Sequence, residues 1–235
     1  MTRSIRERVQ SVAWDRIGES LGNEGFAVLP AFLAQDECTE LAAKFGTPEH
    51  FRSHVVMARL NFGRGEYKYF KYPLPGVVAE LREHLYPRLA DIANAWSAHT
   101  AGMAFPETHA AYLKRCHAAG QRKPTPLLLK YGPGDFNCLH QDLYGELAFP
   151  FQATFFLTPR SDYAGGEFVL VEQRPRMQSR PIVITAEQGQ AVIFPTRYRA
   201  VKGSRGFYRT NLRHGVSALR SGQRYTLGII FHDAK

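Results

Sequence analysis

Three residues in the C-terminal half, His140, Asp142 and a separate His214, are of the types that bind a redox-active metal. Side chains at i and i+2 of a strand share a face, so the run His140-Gln141-Asp142 sets an imidazole beside a carboxylate and turns Gln141 away. His214 supplies a third ligand from another strand. Two His and one carboxylate on one face of an octahedral ion leave three positions open, as non-haem Fe(II) oxygenases require to hold a cosubstrate and O2. Ten residues after His214 stands Arg224, with Thr226 two further on. On a strand that pair aims a guanidinium and a hydroxyl at one face, where both can grip a single carboxylate.

The period-2 series Leu212, His214, Val216, then Ser221-Gly222, then Arg224, Thr226, Gly228 predicts a hairpin. With its turn near Ser221, Gly228 is opposite His214, and Arg224 lies roughly 13 Å further along at about 3.3 Å per residue. That gap suits a diacid that chelates the metal at one end and meets Arg224 at the other. 2-Oxoglutarate fits this description.

On these residues, the stretch 125–232 resembles the Fe(II)/2-oxoglutarate dioxygenase superfamily, whose signature is His-x-Asp, a distal His, and a basic residue followed by a hydroxyl residue. The segment Tyr131-Gly-Pro-Gly-Asp-Phe-Asn-Cys-Leu-His140-Gln-Asp142 is similar to the matching stretch of AlkB-type nucleic-acid demethylases, which implies that Tyr131 hydrogen-bonds 2-oxoglutarate. Leu129 and Ile230 stand where AlkB-type proteins usually carry an Asn and a second Arg. Gly165-Gly166-Glu167-Phe168 and the His214-to-Arg224 spacing resemble the prolyl-hydroxylase-like branch instead. The opening Gly25-Phe-Ala-Val-Leu-Pro30 looks like the entry to several families of the superfamily. As a whole, the chain is similar to a small bacterial family of 2-oxoglutarate oxygenases grouped with nucleic-acid modification. The resemblance implies Fe(II), 2-oxoglutarate and O2 as cofactor and cosubstrates. It also implies C–H hydroxylation coupled to decarboxylation of 2-oxoglutarate to succinate and CO2. On an N-methyl group, the hydroxylated product would collapse to formaldehyde and the repaired base.

The surrounding elements must place these side chains together. Short apolar runs at 127–131, 151–157, 166–171, 181–184, 190–194, 209–217 and 224–231, bounded by Gly and Pro, predict strands. Their number and turns suggest a jelly roll, cupin-like, a double-stranded β-helix within a mainly β protein with flanking helices (α+β). Helical spacing marks 5–21, 34–45, 76–100 with a possible kink at Pro87, and 107–119. A length of 235 residues suits one domain. Within it, 1–124 reads as a helical support layer with a substrate lid, 125–235 as the catalytic core, and 119–124 as the hinge between them.

Thirty Lys and Arg against 21 Asp and Glu favour an anionic partner, and nucleic acid is the partner expected. Arg197, Arg199, Lys202, Arg205, Arg209 and Arg213 run into His214, which places a polyanion-docking charge at the mouth of the barrel. Residues 61–72 interleave Gly, aromatic and basic types, as in a mobile lid, with Phe62, Arg64, Tyr67, Lys68 and Tyr69 as base-stacking and phosphate contacts beside Arg209 and Arg213. An ordinary hairpin is the alternative for that stretch.

His50, His54, His84, His99, His109 and His117 lack a carboxylate at ligand spacing and read as surface or capping residues, and His232 as packing. Cys38, Cys116 and Cys138 form no disulfide or zinc pattern. The N-terminal stretch 5–21 is broken by charges, which excludes a signal or membrane helix there and makes a cytoplasmic location the expectation. Two other functions remain open, a protein or amino-acid hydroxylase and a non-catalytic nucleic-acid binding module.

Overall fold

The structure is a computed structural model that describes residues 3–100, 102–174, 176–204 and 206–235, without the side chains of His99 and Thr100. The basic Arg205 and the side chain of His99 therefore lie outside the described residues. The N-terminal half holds α1 (Ile5–Gln10), α2 (Trp14–Asn23), β1 (Ala27–Leu29), α3 (Gln35–Ala43), β2 (Phe51–Val56), β3 (Gly63–Arg64), β4 (Glu66–Phe70), α4 (Gly76–Thr100) and α5 (His109–Ala118). From there β5 (Leu127–Tyr131), β6 (Phe136–His140), β7 (Phe151–Phe156), β8 (Tyr163–Gly165), β9 (Phe168–Gln173) and β10 (Arg180–Ile184) follow. The chain closes with β11 (Ala191–Pro195), β12 (Tyr198–Gly203), β13 (Gly206–Val216), β14 (Leu219–Gly222) and β15 (Arg224–Ile230).

Two antiparallel sheets face each other in a double-stranded β-helix. The major sheet runs β1-β11-β7-β15-β5-β4-β2 and the minor one β10-β9-β13-β6-β3, with β12 also on β13. Strands of the major sheet are apolar on both faces because both are covered. Leu227, Ile229, Phe151, Ala153 and Phe155 pack under the helices with Leu81, Leu85 and Leu89 of α4. Val192, Phe194 and Phe156, on the opposite face, meet Phe168, Leu170 and Leu212 of the minor sheet. This double burial explains why 151–157 and 190–194 read as continuous apolar runs instead of alternating ones.

Several expectations change. Residues 5–21 form two helices, broken around Ser11, whose hydroxyl donates to the Arg8 carbonyl (2.8 Å). Ile5 and Ile17 both reach the core, yet in one straight helix they would point about 120° apart at 3.6 residues per turn. The predicted hairpin is absent. β13 pairs with β6, β9 and β12, β15 pairs with β5 and β7, and the intervening β14 joins β8 in a third sheet.

Residues 61–72 are no free lid. β3 pairs with β6, and β4 lies between β2 and β5, so part of the supposed helical layer is sheet. The supposed hinge at 119–124 is clamped. Gln121, fully buried, donates to the carbonyls of Leu147 (3.0 Å) and Asp233 (2.6 Å), and Lys123 pairs with Ala234 through the backbone. Among the described residues, no helix is long and apolar enough to cross a membrane.

Candidate metal centre and cosubstrate pocket

β6 and β13 run side by side with His140 directly opposite His214. Gly215 makes this approach possible, since a Cβ there would fall 2.6 Å from the Asn137 carbonyl oxygen. The two imidazole rings lie 4.1 Å apart between centroids. The Nδ1–H of His140 donates to the Cys138 carbonyl at 2.8 Å, which fixes the tautomer and leaves Nε2 with its lone pair free. Asp142, just beyond the end of β6, brings Oδ2 to 3.1 Å from His214 Nε2 and Oδ1 to 3.6 Å from His140 Nε2.

Ligand atoms of the three residues all lie within 4.8 Å of one another, so one ion can reach all three. Burial pushes the His214 pKa down and the nearby His140 adds to this, while the hydrogen bond and charge of Asp142 oppose the shift. At Asp142 burial works against ionisation, but the His214 hydrogen bond and the charges of His214 and His140 outweigh it and hold the carboxyl well below its usual range.

The cluster opens into a cavity of about 390 Å³ between the sheets. β15 lines it with Arg224, Thr226 and Gly228, three residues on one face. β5 adds Tyr131, Leu129 and Leu127 from the opposite register positions. Arg224 is 1 % exposed, and none of its three nitrogens has an acceptor in hydrogen-bonding geometry. Its guanidinium sits over the rings of Phe156 (5.1 Å) and Tyr131 (5.5 Å). Burial lowers its pKa, while Tyr131 and Tyr163 oppose the shift.

Tyr131 is fully buried, its phenol pushed up to about 12 by burial, and its oxygen accepts from Asn137 Nδ2 at 3.4 Å. Gly166, at φ +65, lets the chain cross here. A Cβ would lie 2.7 Å from Leu219 Cδ1 and 3.2 Å from Arg224 Cδ, which accounts for the Gly-Gly step before β9.

The six metal and cosubstrate positions expected from sequence thus line one cavity, although Arg224 arrives from the opposite sheet and not across a hairpin. The substrate positions divide. Phe62, Tyr67 and Tyr69 line the cavity. Lys68 turns away, donating to the Phe45 carbonyl at 2.8 Å, and Arg64 is exposed outside the lining.

Arg209 and Arg213 project from the solvent face of β13, on alternate positions to His214, and do not reach the mouth. Arg199 is buried against Glu172 at 2.9 Å. One of the histidines read as surface or capping residues needs revision, since His109 is not at the surface, while His54 and His117 keep exposed rings. His109 is buried, with Nε2 on the Phe231 carbonyl (2.8 Å), His54 stands on β2 against Glu66 (2.6 Å), and His117 pairs with the buried Asp233 (2.8 Å). His232 is a core residue, as expected.

Tyr144 was missed. Its hydroxyl donates to Asp142 Oδ1 at 2.6 Å. Its spacing two residues after Asp142 was visible in the sequence, but β6 ends at His140, so strand periodicity does not account for the contact.

The double-stranded β-helix and its His-Asp-His cluster form the arrangement in which a non-haem iron oxygenase would hold Fe(II), with room beside it for 2-oxoglutarate and O2. The fold is similar to a Pseudomonas putida prolyl-4-hydroxylase (TM-score 0.52, 15% identity, 94% of this chain and 99% of that chain). It is also similar to a 2OG-Fe(II) oxygenase family oxidoreductase from Burkholderia pseudomallei (TM-score 0.54, 15% identity, 95% and 93%). A sequence model of an oxygenase family described as catalysing oxidative methylation of damaged DNA matches residues 65–234, and the chain belongs to that family. An uncharacterized protein of Mycobacterium tuberculosis is 51% identical over 167 residues, 70% of this chain and 72% of its own length.

Proposed function

We propose that His140, Asp142 and His214 hold Fe(II), that Arg224 and Thr226 hold the far carboxylate of 2-oxoglutarate with Tyr131 beside it, and that the enzyme oxidatively demethylates alkylated nucleic-acid bases. The observation that carries the cosubstrate reading is Arg224, a buried guanidinium without a partner that faces the same cavity as the His-Asp-His cluster. A buried charge costs several kcal/mol unless paired, and a ligand carboxylate is the missing partner. When bound, the iron and 2-oxoglutarate supply C–H hydroxylation with O2, coupled to decarboxylation to succinate and CO2. The apolar walls from Leu127, Leu129, Val216 and Phe168 exclude water from the reacting carbon. Hydroxylation of an N-methyl carbon yields a hemiaminal that splits into formaldehyde and the free base.

Support for a nucleic-acid substrate comes from the family description, from the aromatic wall of Phe62, Tyr67 and Tyr69, and from the distribution of charge. Residues 172–220 carry ten Lys and Arg against two Glu, which is nearly all of the net charge of +9. Among the described residues, its exposed members, such as Arg209 and Arg213, lie on the outer face of the protein, where a phosphate backbone could run while one base enters the cavity. A protein or amino-acid hydroxylase is the second reading. It is favoured by the lining itself, in which Arg224 is the one Lys or Arg among the described residues. Three free thiols and a metabolite cosubstrate fit a cytoplasmic enzyme.

The test measures succinate and formaldehyde with Fe(II), 2-oxoglutarate and a panel of methylated single-stranded and duplex oligonucleotides, with His140→Ala as the blank. The expected result is stoichiometric release of both products. Succinate without formaldehyde, restored by peptides, would select the hydroxylase. Neither product from iron-loaded protein would overturn the enzyme assignment.

A further inference from the structure

We infer that Tyr144 is a positioning residue that fixes the Asp142 carboxylate for metal binding, and that Tyr69 in turn fixes Tyr144. The inference rests on the reading of His140, Asp142 and His214 as metal ligands. Those three are not held alike. His140 and His214 belong to paired strands, and the His140 ring is further pinned through its Nδ1–H. Asp142 lies past the end of β6 in irregular backbone, so no strand pairing orients it. The last torsion of an Asp side chain is broad, and a carboxylate without a second contact can rotate either oxygen toward an ion.

Tyr144 removes that freedom. Its O–H donates to Asp142 Oδ1 at 2.6 Å, within the range of a charge-assisted bond, which leaves Oδ2 on the His214 side. The segment that carries Tyr144 is itself irregular and needs an anchor. Tyr69 on β4 provides one, donating its O–H to the Tyr144 oxygen at 2.9 Å with the two rings edge to face (6.0 Å between centroids). On the other side the His232 ring lies 6.0 Å away. Each phenol donates once, so the relay runs in one direction, from the seven-stranded sheet through two hydroxyls to the metal carboxylate. Tyr69, which lines the cavity, therefore links the substrate wall to the metal centre.

Co(II) titration of the full-length apoprotein, followed by its visible absorption bands, tests this without turnover. Tyr144→Phe keeps the ring and deletes the donor, and its Co(II) affinity is expected to fall by about 10- to 100-fold with an altered band pattern. The melting temperature of the apoprotein should stay at the wild-type value. Tyr69→Phe should give a smaller loss in the same direction. Affinity and bands unchanged in both variants would overturn the inference, as would a loss matched by an equal fall in apoprotein stability. If Tyr144→Phe does not fold, Tyr69→Phe decides alone. Asp142→Ala separates the two levels, because undiminished Co(II) binding by that variant would remove the metal reading itself, whereas its loss with normal binding by Tyr144→Phe would remove only the relay.

Discussion

Arg82 and Arg224 are each 1 % exposed, and they stand on opposite faces of the same sheet in opposite electrostatic circumstances. On the helical side, Arg82 donates to the Ile230 carbonyl (2.9 Å), the Tyr72 hydroxyl (2.9 Å) and Asp233 (2.7 Å). Asp233 is shared further with Tyr72 and His117. Every charge there is matched within the chain, and the cluster ties α4 and α5 to the C-terminal residues. On the cavity side, no Arg224 nitrogen finds an acceptor in hydrogen-bonding geometry, and the Tyr131 and Tyr163 phenols oppose the fall in its pKa. A buried guanidinium with its counter-charge built in is part of the scaffold, while one without it marks where a ligand supplies the charge. Burial alone does not distinguish the two, whereas the hydrogen-bond inventory does.

This contrast can be broken at either end. Arg82→Met leaves Asp233 buried without its main partner and should cost about 3–5 kcal/mol of stability, read from urea unfolding. Arg224→Met should do the reverse to the apoprotein, leaving stability unchanged or raised, because it removes a charge with nothing to meet. Its cost appears in 2-oxoglutarate affinity, at about 3 kcal/mol or on the order of a hundredfold in Kd by calorimetry with Mn(II) as the metal. An apoprotein strongly destabilised by Arg224→Met would mean that Arg224 belongs with Arg82 in the scaffold. The smallest effect is expected at Thr226→Val, which keeps the shape of a buried side chain and removes one hydroxyl. The expected loss is about 1 kcal/mol, near fivefold in the same Kd, with kcat close to the wild-type value.

The two regions also differed in how readable they were. His140, Asp142, His214, Arg224 and Thr226 are joined by short spacings, and a two-residue period is a property of the chain before it folds. The seven expected strands, at 127–131 through 224–231, lie within a few residues of their observed places, since their apolar runs are bounded by Gly and Pro. By contrast, β2 and β4 were hidden by Lys, Arg and Tyr, whose polar ends suit a half-buried position near a sheet edge. The Arg82–Asp233 pair was not legible, because its partners are 151 residues apart. The basic run toward His214 misled for the opposite reason. Alternation on β13 puts Arg209 and Arg213 on the face that His214 does not occupy, so proximity in sequence became separation in space.

By itself the sequence determined the ligand types, their spacing and the strands that bear His214, Arg224 and Thr226, because these depend on local residue type and backbone periodicity. Only the tertiary structure decided that His214 and Arg224 face each other from different sheets, that the aromatic stretch at 61–72 is a cavity wall, and that Arg224 has no partner. These are long-range outcomes. They follow from which strands pair across the chain, and from which buried groups are left with hydrogen bonds unmade.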